Sequence, residues 1–292
     1  MTKQELLVSG GLDFTVSKVK LHTYDVLHPD DYNPTAFFST VNNTSGEALG
    51  PVRSRYTVMQ NSELLDNIVE KLEPDTYNLD ESKCGYFNGG KKIYFFIKLN
   101  NTVGLNFAND LMDLYLYALS SHDGSQRLVY GISTKMHSCS NMFATLMSDK
   151  DNNHVVKHTA KISKSSGTMI NEMIHRNKDG LVKLFTRMSA HKPSEEFIEK
   201  TKDIIAKTSI KGVRQSTINN RAELSNCITS EMSSKGDSYY GLFNGVTNYT
   251  THQHTSDYPK EYELLTGTSN NYNKKVFSLI VQELVDTGVC LN

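Results

Sequence analysis

The stretch Leu111–Met147, LMDLYLYALSSHDGSQRLVYGISTKMHSCSNMFATLM, constrains this chain more than any other. Leu114 to Leu119 is a run of aliphatic and aromatic residues suited to a buried or half-buried strand. Asp123-Gly124 is a hairpin signal, because glycine takes the positive φ that such turns need without a side-chain clash. Leu128 to Ile132 then supplies the return strand. Beyond it, Ser140 or Asn141 is placed to cap a short apolar helix over Met142 to Met147 by accepting its free amide hydrogens.

On the N-terminal side, Phe14, Val16, Val19 and Leu21 mark one strand. Residues 28–51 carry Pro29, Pro34, Gly46, Gly50 and Pro51 among Asn, Ser and Thr, which predicts a loop or an arm. Tyr56 to Met59 reads as extended. Asn61 is placed to cap a helix with Leu64, Leu65, Ile68, Val69 and Leu72 on one face, ended by Pro74. Asn88-Gly89-Gly90 predicts a turn and Ile93 to Leu99 a strand. Strand, helix and two hairpins without intervening crossover helices imply antiparallel pairing.

Towards the C-terminus the pattern becomes helical. Met169, Ile170, Met173 and Ile174 form a stripe; Asp179-Gly180 is expected to interrupt it before Leu181, Leu184, Phe185 and Met188 resume. Ser194 caps a further helix carrying Phe197, Ile198, Thr201, Ile204 and Ile205. Residues 209–236 are polar with little periodicity, which predicts a flexible connection. Two late helices hold Tyr239, Leu242, Phe243, Val246 and Tyr249, then Val276, Phe277, Ile280, Val281, Leu284 and Val285, with Gly288 as a stop.

The expected fold is therefore α+β: an antiparallel sheet with hairpins and covering helices, followed by a mostly helical C-terminal half. The segments are an N-terminal arm over 1–55, an α+β core over 56–150, and a basic helical segment with C-terminal helices packed on the core over 151–292, an arrangement compatible with one domain overall.

The four cysteines are scattered without a CxxC, as free thiols are in a reducing compartment. No apolar run approaches the roughly 20 residues of a membrane span, and MTKQELLVSGG lacks the pattern of a signal peptide. The expected location is the cytoplasm. A formal net charge of −1 hides an uneven distribution, since residues 155–221 hold 14 Lys/Arg against 6 Asp/Glu, a local +8. Residues 1–154 and 222–292 are both acidic.

Several short motifs in order resemble one family. They are YTVMQN (Tyr56–Asn61), SSHDGSQRLVYG (Ser120–Gly131), CSN (Cys139–Asn141), KHT (Lys157–Thr159), YYGLFNGVTNYTTH (Tyr239–His252) and TGTSNNYNKKVFSL (Thr266–Leu279). Together they resemble the phage/plasmid-like family known as domain of unknown function 932, over roughly residues 50–290. The resemblance implies a setting of phages, prophages and conjugative plasmids in a bacterial host. It implies no catalytic residues. The late helix departs from the family pattern at Tyr240, where Trp is common.

Other constellations are weaker. His154 and His158 have the spacing of two metal ligands on a helix face, and His252 and His254 that of two on a strand, but neither pair has a third ligand nearby. Asp110 and Asp113 flank an apolar strand. Ser121-His122-Asp123 is not a triad: neighbours in a turn cannot align as nucleophile, base and orienting acid. No phosphate-cradling glycine motif is present.

The basic segment is the most informative feature. Phosphates need cations and unstacked bases need aromatic platforms. Lys91, Lys92 and Tyr94, with Lys157, His158, Lys161, Lys164 and Arg176, are the expected nucleic-acid contacts. The expected function is a single-stranded DNA-binding, recombination or annealing-type accessory protein of a mobile element, with no catalytic residues and no cofactor. The alternative is a non-enzymatic interaction protein directed at a host defence or replication component. A homo-oligomer and a host protein partner fit either reading; a membrane does not. We expect no stoichiometric metal; metal analysis returning about one zinc or manganese per chain would overturn this.

Overall fold

The computed structural model describes residues 1–24, 32–73, 75–105, 110–136, 142–145, 154–156, 167–206, 214–254 and 260–289. Its contacts divide the chain into two compact units. The first comprises Met1–Asn101, Tyr115–Gly131 and Asp149–Ile174; the second comprises Thr102–Leu114, Ile132–Ser148 and His175–Asn292.

The elements in order are α1 (Lys3–Ser9), β1 (Val16–Tyr24), β2 (Tyr32–Asn42), β3 (Ala48–Arg53), α2 (Asn61–Val69), β4 (Tyr77–Phe87), β5 (Lys92–Leu105), β6 (Asp110–Ser121), β7 (Leu128–Met136), β8 (Met142–Thr145) and β9 (His154–Val156). Helices follow: α3 (Gly167–Ala190), α4 (Glu195–Ile205), α5 (Gln215–Lys235), α6 (Tyr239–Asn248), α7 (Lys260–Leu265) and α8 (Thr268–Asp286). A π-helical turn, Tyr249–Gln253, extends α6. The α+β class is as the periodicity implies: antiparallel strands in the N-terminal half, and a mostly helical C-terminal half.

One sheet has the order β1-β2-β3 and the other β4-β5-β6-β7-β8, with β9 pairing against β7. The β6–β7 hairpin turns at Gly124, whose φ is +73°. The turn before β5 is also as expected, with Asn88, Gly89 and Gly90 all at positive φ. In the first unit the core is built from Leu64, Leu65 and Ile68 of α2 with Phe95, Ile97, Leu116, Tyr117 and Tyr130 of the strands, all nearly or fully buried. Gly131 admits the Tyr117 ring: a Cβ there would overlap its phenol oxygen.

The second unit packs helix on helix. Along α6 every residue from Tyr239 to Thr247 is buried. Its Gly241 and Gly245 lie against α5, where added Cβ atoms would sit 3.0 Å from Met232 Cα and in overlap with Ile228 Cα. Arg221 of α5 bonds Glu199 and Asp203 of α4 at 2.6 Å each. Ser194 caps α4, its hydroxyl accepting from the Phe197 amide as expected.

Five expectations are corrected. Residues 32–42 and 48–53 are strands, not loop or arm: Pro51 sits in the edge strand β3, and Pro34 of the central strand β2 pairs with His22 beside a register shift in β1, positions where proline is tolerated. Gln60 is the N-cap of α2, and Asn61 is the first helical residue. Met142–Thr145 is a strand paired with Ile132–Lys135, so sheet pairing overrides the capping signal. Gly180 does not interrupt α3, because a single glycine lowers helix propensity without removing a hydrogen bond. Residues 215–235 form α5 rather than a flexible connection. Of the four thiols, Cys84 and Cys227 are free and unpaired as expected, while Cys139 and Cys290 lie outside the described residues.

Two helical glycines should behave oppositely. A Cβ at Gly180 meets nothing within 4 Å, so Gly180→Ala should stabilise the protein by about 0.5–1 kcal/mol. Gly245→Ala should destabilise it by at least about 1–3 kcal/mol, through overlap with the α5 backbone. Denaturant midpoints of the two variants check both.

Candidate functional site

Two of the motifs singled out in sequence meet in the first unit. The Asn61 amide donates through Nδ2 to the carbonyls of Leu12 (3.0 Å) and Phe14 (3.2 Å). That fixes its oxygen as an acceptor, so the His122 Nε2 lying 2.9 Å away carries the proton and donates to Asn61 Oδ1. Asn61 and His122 are 1% and 2% exposed. The Tyr56 hydroxyl donates to the Ser121 carbonyl at 2.6 Å, and Thr40 Oγ1 to the His122 carbonyl at 2.8 Å. Burial of the Tyr56 phenol pushes its pKa well above the ordinary tyrosine value, keeping it a donor.

The loop's remaining polar groups are similarly engaged. The Ser121 hydroxyl donates to the Gln126 carbonyl at 3.0 Å and accepts from the Gln126 amide at 2.9 Å. Asp123 Oδ1 accepts from the Ser125 amide at 2.9 Å. Ser121, His122 and Asp123 therefore point to three different sets of partners, and the absence of a triad is structural as well as topological. Gly50 lets β3 run against this loop, since a Cβ there would lie 2.6 Å from Asp123 Cβ.

Several cationic residues lie near this knot along the backbone. The His122 amide donates to the Lys91 carbonyl at 2.7 Å, and the Tyr56 amide to the Arg53 carbonyl at 3.0 Å. Arg127 follows the loop directly. Arg53, Arg55, Lys91 and Arg127 are all exposed, and none joins an ion pair among the described residues. Lys18 lies nearby, donating to the carbonyls of Ser54 and Tyr56 at 2.9 Å each.

Of the expected nucleic-acid contacts, Lys91 is exposed and Lys92 half-buried at the start of β5. Tyr94 is 9% exposed and stacks on Phe87 with ring centroids 4.9 Å apart, so it is a core ring. The accessible aromatic of that region is Tyr86, 46% exposed. Arg176 is exposed on α3 in the second unit. Lys157, His158, Lys161 and Lys164 lie outside the described residues. Sequence reading did not single out Arg53, Arg55 and Arg127, which are exposed at the end of β3 and after the loop.

His154 begins strand β9 rather than a helix, and His158 is not described. His252 is exposed, whereas His254 Nδ1 lies 3.2 Å from Ser269 Oγ at the end of the π-helical turn, not on a strand. Ser269 Oγ also donates to the Thr250 carbonyl (3.2 Å), its amide to Glu263 Oε2 (3.1 Å), and Thr250 Oγ1 bonds Asn273 Oδ1 (2.9 Å). The two late motifs are thus joined inside the second unit as the two early ones are inside the first. Among the described residues no helix is long and apolar enough to cross a membrane.

These features define an α+β chain whose recurring polar motifs are internal. The chain belongs to the family described as domain of unknown function (DUF932), whose model matches residues 48–276. No curated protein and no solved structure matches it.

The Asn61–His122 pair should act as one unit. Asn61→Ala strands two carbonyls and a buried imidazole N–H, and His122→Ala strands the amide oxygen, so each should cost about 2–3 kcal/mol. The double variant should cost less than the sum. Chemical denaturation of the four proteins measures the coupling, and strict additivity would contradict the pairing.

Proposed function

We propose that this protein binds single-stranded DNA with little sequence preference, as a recombination or annealing-type accessory protein of a phage or plasmid, without a catalytic step. The observation that most supports this reading is the set of exposed cations Arg53 and Arg55 at the end of β3, Lys91 ahead of β5 and Arg127 after the Ser121–Gly124 loop, whose Ser121, His122 and Asp123 side chains are engaged internally. A loop with its histidine, serine and carboxylate so committed holds its shape and offers charge rather than chemistry. The local +8 of residues 155–221 adds a second cationic segment, with Arg176 and Lys183 exposed on α3. Phosphates attract such cations whatever the sequence, through release of condensed counterions. The mobile-element setting rests on the motif resemblance alone.

Binding should weaken steeply as salt rises. Replacing Arg53, Arg55, Lys91 and Arg127 by Ala, or Lys157, Lys161 and Lys164 by Ala, should weaken binding to all sequences alike. Each should make the slope of log affinity against log salt shallower by up to about 0.7 per lost contact. Exposed cations carry little stability, so the variants should stay folded. The test is a salt titration with labelled single-stranded oligonucleotides. No binding by the folded wild type at low salt, or equal slopes for all three proteins, would overturn the reading and favour an interaction protein aimed at a host component.

A further inference from the structure

The β1-β2-β3 sheet ends in two edge strands, β1 and β3. Along an antiparallel strand the N–H and C=O of every second residue point to the same side. The Thr15 carbonyl accepts from the Asn43 amide at 2.9 Å, on the β2 side. Val16 therefore faces outward, and the Gln60 side chain meets it as a neighbouring strand would: Oε1 accepts from the Val16 amide at 2.9 Å, and Nε2 donates to its carbonyl at 2.8 Å. Lys18 and Lys20 face outward in their turn. Among the described residues no hydrogen bond reaches their backbone from outside the sheet. The other edge is blunted. Ser39 and Val41 turn to β1, so Thr40 and Phe38 turn to Gly50 and Val52 of β3, and Pro51 faces outward with no N–H to offer. Pairing of β2 with β3 stops at Phe37–Arg53, whereas β1 and β2 run on together to Tyr24–Tyr32. In this two-stranded stretch Lys20, Leu21, His22 and Thr23 are exposed on one strand, and Asn33, Pro34 and Ala36 on the other. A two-stranded ribbon without a third strand is marginal in water.

We propose that the outer edge of β1, from Lys18 to His22, takes an extended segment of a partner protein in which acidic and apolar residues alternate, added as a further strand of the ribbon. The proposal goes beyond the single-strand DNA reading and does not depend on it. The backbone sets the class of occupant. Outward N–H and C=O groups at strand spacing are completed by another extended peptide; a nucleic acid carries no such ladder. The side chains set its composition. On one side of β1 an added strand meets Val19 and Leu21, 50% and 36% exposed. On the other side it meets Lys20 and His22, which are exposed and join no ion pair among the described residues. Apolar residues suit the first pair and carboxylates the second, so the matching segment alternates. The same charges argue against a second copy of this chain. Outward-facing residues pair with outward-facing residues, so two β1 strands edge to edge would set Lys18, Lys20 and His22 against one another. VSKVKLHTY contains no Asp or Glu to relieve them, and like charges directly opposite are destabilising. Inward-looking lysines on an edge strand are a device against self-association, and the device leaves an acidic strand welcome.

The probe is a fluorescein-labelled peptide of about eight residues alternating Glu and Val, titrated with the full chain and read by fluorescence anisotropy. It should bind, and hydrogen exchange of the complex should show new protection at the Lys18 and Lys20 amides. A twin peptide N-methylated at every second amide keeps the charge and the apolar groups but cannot complete the ladder, and should bind at least about tenfold more weakly. Lys20→Glu should weaken binding about fivefold and turn the preference towards a Lys-Val peptide. Lys20→Pro removes an outward N–H while leaving the bonds to β2, and should abolish binding. Denaturant midpoints of both variants report whether they stay folded. No binding of the peptide by the folded wild type overturns the proposal. Equal binding of the N-methylated twin also overturns it, since charge attraction alone then accounts for the result. A wild type that is dimeric by light scattering and turns monomeric on Lys20→Pro overturns it in favour of a second copy. If the peptide binds as expected and single-stranded DNA does not bind, the edge stands while the DNA reading falls.

Discussion

The first unit depends on one buried hydrogen bond, from His122 Nε2 to Asn61 Oδ1. Asn61 opens α2 and holds the carbonyls of Leu12 and Phe14, just ahead of β1. His122 starts the loop between β6 and β7. Through this pair the start of β1, the start of α2 and the hairpin loop share one buried network. A satisfied bond of this kind contributes only about 1 kcal/mol net, but a broken one leaves several desolvated groups at about 1–3 kcal/mol each. The asymmetry explains why a buried histidine and a buried asparagine serve better than two apolar residues: wrong arrangements of the loop are penalised more heavily than the right one is rewarded.

The second unit uses the same device with different residues. Ser269, at the start of α8, bonds the Thr250 carbonyl, His254 and Glu263, and Asn273 one turn later receives the Thr250 hydroxyl. The π-helical turn after α6 presents these groups, with the His254 amide donating to the Tyr249 carbonyl at 2.8 Å. Close approach of α6 to α5 comes from Gly241 and Gly245, which remove the side chains that would hold the backbones apart. Short polar motifs far apart in sequence are therefore reciprocal halves of internal networks, one in each unit.

Legibility in sequence follows the range of the interaction. The Asp123-Gly124 and Asn88-Gly89-Gly90 turns, the Ser194 cap and the apolar stripe of α8 depend on residues within a few positions of each other, and they are readable. Strand β8 is not, because Met142–Thr145 is helical by local signal and extended only by pairing with β7. Helix α5 is not, because its buried residues are few, Leu224, Ile228 and Glu231 among them, and its stability comes from α6 and from the Arg221 bridges to α4. The site divides the same way. Lys91 is visible as part of a Lys-Lys pair. Tyr94 looks equally available in sequence and lies in the core, because strand alternation across β5 gives way to burial of every residue from Ile93 to Leu99. Arg53, Arg55 and Arg127 are exposed but belong to no local charge pattern that singles them out in sequence.

Internal use of the motif residues bears on function as well as fold. A histidine, serine and aspartate in sequence invite an enzymatic reading, yet their bonds run to Asn61, to Gln126 and to Ser125. A catalytic base must reach a proton on a substrate, and His122, at 2% exposure with Nε2 committed to Asn61, offers no such reach. What these residues can do is hold a loop rigid beside β3. Rigid placement matters for a surface that acts by charge and shape, because every side chain ordered on binding subtracts from affinity. The internal network thus fixes the loop and the strand beside it, and it leaves no side chain of the Ser121-His122-Asp123 motif free to act as the sequence alone suggests.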